Sequence, residues 1–84
     1  MNISQLRSEL KKIGLDEEKY NLGNRPMREM ELGLIIEDNK WIVYQSFEKG
    51  GYNIIKTFDN EEDACNLILY FLKLEKKKET MLNS

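Results

Sequence analysis

The sequence predicts an α+β domain in which a three-stranded antiparallel meander is flanked by an N-terminal and a C-terminal helix, in the order α-β-β-β-α. Three observations predict it. Ile3, Leu6, Leu10 and Ile13 recur at steps of three and four, the period of one helix face. Three short runs rich in β-branched and aromatic residues follow: Leu32 to Glu37, Trp41 to Phe47 and Tyr52 to Phe58. Their connections are short enough to require hairpins. Ala64, Leu67, Ile68, Phe71 and Leu72 then restore the helical spacing.

The first helix is expected over about residues 3–13, with Ser8, Glu9, Lys11 and Lys12 on its solvated side and Gly14 as a left-handed cap. Residues 15–31 read as an ordered loop. Asp16-Glu17-Glu18 suits a short turn, Tyr20 and Leu22 are apolar anchors, and Gly23-Asn24-Arg25-Pro26 is turn chemistry. Met27 to Glu31 leads into the first strand. Asp38-Asn39 bounds that strand, and Glu48-Lys49-Gly50-Gly51 turns the chain between the second and third, with glycine free to take positive φ. At Asp59-Asn60-Glu61-Glu62 an acceptor side chain and a glutamate three residues later resemble a capping box. The first-turn carboxylates complement the helix dipole. The second helix is expected over about 60–77, and residues 79–84 as a frayed tail of a single domain covering 1–84.

Composition narrows the function classes. A chain of 84 residues buries only about 60–65% of its unfolded surface, so each apolar face matters. No run of about 18 apolar residues suggests a membrane span, and the first residues lack the charged and apolar regions of a secretory signal. Histidine is absent and Cys65 is the only cysteine. Ser-His and Cys-His nucleophile pairs, an intramolecular disulfide and cysteine-rich zinc sites are thereby excluded. The expectation is a cytoplasmic protein that is not an enzyme and carries no cofactor or metal. The formal charge of −2 is unevenly placed: Lys73, Lys76, Lys77 and Lys78 against Glu75 and Glu79 give the C-terminal segment +2, which leaves −4 for residues 1–72. A mildly acidic body with a short basic tail suits a protein partner better than a polyanion.

Strand alternation assigns Leu32, Leu34, Ile36, Trp41, Val43, Phe47, Tyr52, Ile54 and Phe58 to the core side. The opposite face then carries Ile35, Glu37, Ile42, Tyr44, Ser46, Asn53, Ile55 and Thr57. Two readings of that face compete. Either the first helix or the 15–31 loop covers it, or it is an exposed half-apolar surface with Tyr44 as a docking anchor.

Other chemistry fails on spacing. The acidic clusters 16–18 and 61–63 are explained as solvated caps, and neither has the paired geometry of glycoside cleavage. Residues 59–63 lack the glycine and ligand series of a calcium loop. Gly50-Gly51 lacks the remainder of a phosphate loop. A helix N-terminus could activate Cys65, but the neighbouring carboxylates oppose that and a small buried residue is the plainer role. The element order is also that of the double-stranded RNA-binding domain. That domain grips phosphate with lysines at the start of its second helix, where this chain has Asn60-Glu61-Glu62-Asp63. No nucleic acid is expected.

From about Tyr20 to Leu74 the chain resembles small immunity proteins of bacterial polymorphic toxin systems. The pattern comprises Tyr20 and Leu22, Glu29 or Glu31, and Trp41-Ile42-Val43-Tyr44. It continues with Glu48-Lys49-Gly50, Phe58 and Glu61-Glu62-Asp63-Ala64-Cys65. At the hairpin the family pattern has an arginine where this chain carries Lys49, a point charge rather than a planar fork. The resemblance implies a short cytosolic α+β protein that binds and neutralises the C-terminal toxin domain delivered by a sibling cell. The partner-binding residues expected on the two grounds together are Glu29, Glu31, Ile35, Glu37, Ile42, Tyr44, Glu48, Lys49 and Ile55. The alternative expectation is a homodimeric structural or adaptor domain that pairs through a free sheet face or edge, with Lys40 and Lys56 blunting the edge.

Overall fold

A computed structural model describes residues 1–23 and 26–82, the side chains of 79–82 excepted. Its elements are α1 (Ile3–Lys12), a 3₁₀ turn (Glu17–Lys19), β1 (Tyr20–Asn21), β2 (Leu32–Glu37), β3 (Lys40–Ser46), β4 (Tyr52–Phe58) and α2 (Glu61–Leu82). The class is α+β, and the three expected strands pair as an antiparallel meander. The sheet nevertheless has four strands in the order β1-β2-β3-β4, because Tyr20 and Asn21 pair in parallel with Leu32 and Gly33. Two residues are too few to show an alternating pattern, so the sequence reads this strand as loop. The turn expected at 23–26 includes Asn24 and Arg25, which lie outside the described residues, as do Asn83 and Ser84 of the expected tail.

Both ends of α1 are fixed by local chemistry. Asn2 and Gln5 form a reciprocal capping box: the Gln5 N–H donates to Asn2 Oδ1 at 2.8 Å and the Asn2 N–H to Gln5 Oε1 at 2.9 Å. At the other end Gly14 has φ +80°, and Leu15 N–H donates to Leu10 O while Gly14 N–H donates to Lys11 O, both at 3.0 Å. This is a Schellman motif, and its characteristic apolar contact is supplied by Leu10 and Leu15, which are both buried. The cap of α2 lies one residue later than expected: Asn60 Oδ1 accepts from the Asp63 N–H at 2.8 Å. The helix also continues beyond 77, through Leu82.

The helices run in the same direction on one face of the sheet. Ile3 N–H reaches Glu61 Oε2 at one end, and Lys76 Nζ donates to Gly14 O at the other. Leu6 and Leu10 of α1 meet Ala64, Cys65, Ile68 and Leu72 of α2 over Leu32, Leu34 and Val43 of the sheet, and Trp41 and Phe58 close the margin of that core. The smallest molecular dimension, 20 Å, is that of one helix layer on one sheet.

The β2–β3 hairpin turns at Asp38 and Asn39, both with positive φ (50° and 63°), the type I′ geometry that matches strand twist. Between β3 and β4 the register shifts: Val43 pairs with Lys56 and Tyr44 with Ile54, leaving Ile55 as the bulged residue. The shift reverses the alternation expected for the first part of β4, while Phe58 keeps its expected place on the core side. Tyr52 and Ile54 lie beside Ser46 and Tyr44 on the face away from the helices, whereas Ile55 lines a groove with Phe71 and Leu74 on the helix side. Of the other residues expected in the core, Ile36 and Phe47 are exposed, the latter beyond the end of β3.

Candidate protein-docking surface

With both helices on one side, the opposite sheet face is covered only by what the sheet and its own loops provide. Ile35, Ile42, Tyr44, Ile54 and Tyr52 form an apolar strip across β2, β3 and β4, as their cross-strand pairing requires. The strip has a buried half and an open half. Tyr44 is fully buried and Ile42 is 7% exposed, while Ile54 is 51% and Tyr52 40% exposed. Tyr44 and Tyr52 pack edge to face with ring centroids 5.6 Å apart.

Tyr44 is therefore not an exposed anchor. Its ring lies across Gly33, where an added Cβ would stand 2.4 Å from the hydroxyl and 2.5 Å from Cζ. Glycine at 33 makes room for the ring against the backbone of β2. The hydroxyl donates to Glu31 Oε1 at 3.2 Å, and that oxygen also accepts from the Arg28 N–H at 2.7 Å and Asn21 Nδ2 at 3.2 Å. Ser46 Oγ accepts from the Glu31 N–H at 2.8 Å and donates to Arg28 O. These bonds fasten the segment before β2 to the same sheet face and satisfy one oxygen, Oε1, of a carboxylate only 4% exposed. One of the two readings of Tyr44 thus holds: the loop covers it. Glu31 is likewise a buried structural group and not a free docking residue.

The remaining expected site residues are scattered. Glu29, Glu48 and Lys49 are exposed at the end of the sheet where β2 begins and the β3–β4 hairpin turns. Glu37 is exposed at the other end, and Ile35 is half-buried in the strip between them. Ile55 is 40% exposed on the opposite side of the sheet. Sequence reasoning missed Tyr52 and Ile54 because nothing in an alternating run announces a bulge.

Two adjoining hollows lie between the C-terminal half of α2 and the sheet. The larger, about 620 Å³, is bounded by Leu15, Met30, Leu32 and Leu72, and the smaller, about 360 Å³, by Ile55, Phe71 and Leu74. Glu75 and Lys78 edge both. Cys65 contacts neither; it is fully buried in the core, and burial, reinforced by Glu61, pushes its thiol up to about 11. A thiol so placed is held protonated at neutral pH, away from nucleophilic or ligand chemistry. Among the described residues no three Cys, Asp or Glu side chains converge to hold a metal ion, and no helix is long and apolar enough to cross a membrane. Comparison with known proteins yields no relative: no family model, no curated protein and no solved structure matches the chain.

Proposed function

We propose that this chain is a non-catalytic immunity protein that binds and neutralises a cognate toxin domain through the open half of its second sheet face. The observation that carries the reading is the one-sided helix layer, which leaves Ile54 and Tyr52 exposed on β4, with half-buried Ile35 two strands away on the same face. A partly exposed tyrosine with aliphatic neighbours is the composition of a protein-binding hot spot. The resemblance of residues 20–74 to small polymorphic-toxin immunity proteins suggests the partner class. The −4 charge of residues 1–72 favours approach to a basic toxin domain.

The test is co-expression and direct binding with the toxin domain encoded by the adjacent gene. Protection of the host cell and a stoichiometric complex are expected. Absence of both removes the proposal.

A further inference from the structure

The apolar surface of helix α2 is wider than the core covers. Ala64, Cys65, Ile68 and Leu72 are buried against α1 and the sheet. Leu67, Tyr70, Phe71 and Leu74 lie further round: half-buried Leu67 and Phe71 still pack on the margin of that core, while Tyr70 is 59% and Leu74 40% exposed. This outer stripe flanks the side away from α1: Lys76, on the other flank, reaches Gly14, whereas Phe71 and Leu74 share a hollow with Ile55 of β4.

The sheet is open on that same side. Strand β4 is an edge of seven residues, exposed from Tyr52 through Thr57, while the opposite edge is the two-residue β1. A short strand is a recognised way of blunting an edge, and β4 lacks that protection. Its one lysine does not reach across the edge; Lys56 Nζ sits 5.3 Å from the centroid of the Phe58 ring on its own strand.

We infer that β4 and the outer stripe of α2 are together the contact surface for a second copy of this chain, related by a two-fold axis perpendicular to the sheet. Strand β4 pairs antiparallel with β4 of the second copy, and α2 lies antiparallel beside its counterpart, which makes the contact isologous. Two arguments choose a second copy over an extended peptide. An added strand would satisfy the edge but leave Tyr70 and Leu74 uncovered one layer above it. A second copy brings a strand and a helix at matching heights.

Charge gives the second argument. The α2 stripe runs Asp63, Leu67, Tyr70, Leu74, Lys77 at steps of four and three, with Lys78 beside its end. Antiparallel packing therefore sets Asp63 of each copy near Lys77 and Lys78 of the other and opposes the helix dipoles. The Ile54–Tyr52 face stays open in this arrangement, so the dimer and toxin binding stand or fall separately.

Sedimentation velocity on the full chain tests it. A species of twice the 10.0 kDa monomer mass should grow with concentration up to about 100 μM, as mass action requires. Tyr70→Glu places two like charges near the two-fold and should raise the dissociation constant at least about tenfold, with circular dichroism unchanged. Lys77→Glu combined with Lys78→Glu should also weaken the dimer, and adding Asp63→Lys should recover it. A monomer throughout that range, a dimer indifferent to Tyr70→Glu, or no recovery in the triple variant would overturn the inference.

Discussion

Tyr44 and Gly33 act as one unit, because the ring of one occupies the space a side chain on the other would fill. Gly33→Ala should cost about 1–3 kcal/mol by forcing the ring off its seat. Tyr44→Phe should cost a similar amount, about 1–3 kcal/mol, by removing the hydroxyl that donates to the buried Glu31 carboxylate. Urea denaturation measures both. A Gly33→Ala variant as stable as the parent would show that the ring does not lie across Gly33. Cys65 offers a separate check on burial. Its thiol should react with a disulfide reagent at neutral pH only on the timescale of opening, and should become fast in urea.

At the scale of elements, the strong local signals and the structure agree, and the disagreements have definite physical sources. Strands β2 and β4 fall where β-branched density placed them, and α1 ends at the glycine that named its cap. Three features were illegible. Strand β1 is too short for a period to exist. The β4 bulge shifts the register by one residue with no change in composition, so it exchanged Tyr52 and Ile54 for Ile55 in the expected docking set. Tyr44 stayed between two readings because its burial depends on a loop folding back through Glu31, Arg28 and Ser46, contacts that no alternation pattern encodes. The outer stripe of α2, by contrast, was open to reading: Leu67 and Tyr70 fall three apart and Tyr70 and Leu74 four apart, out of phase with Ile68 and Leu72. At the start of that helix, Asn60→Ala should cost about 1 kcal/mol through loss of the cap on the Asp63 N–H. A melting temperature unchanged by that substitution would assign the cap no energetic role.

At the scale of the whole molecule, the protonation of buried groups sets the alkaline limit. Burial raises the Cys65 thiol from its ordinary 9.0 to about 11; burial, with Glu17 next, raises the Tyr20 phenol above 10.0. Both groups hold their proton more firmly in the folded chain, so the unfolded chain loses protons first as pH rises. The Cys65 contribution is fully present below about pH 9 and is lost as pH climbs toward 11, and that of Tyr20 begins to fall only as pH passes 10.0. Denaturant midpoints should therefore fall over that interval, and Cys65→Ala should flatten the decline. A midpoint independent of pH through this range would contradict the burial of both groups.

The two proposals rest on separate regions of the surface: a sheet face left open by the one-sided helix layer, and an edge where β4 and the outer stripe of α2 coincide. The central claim concerns the first. Titration calorimetry of the toxin domain against Ile54→Asp, made in the Tyr70→Glu background so that self-association does not intervene, measures it most directly. The account predicts a folded variant whose affinity falls by about 2 kcal/mol or more, roughly thirtyfold, because the substitution sets a charge in the open half of the docking strip. A folded Ile54→Asp variant that binds the toxin as tightly as its Tyr70→Glu parent would contradict it and remove the second sheet face from the binding site.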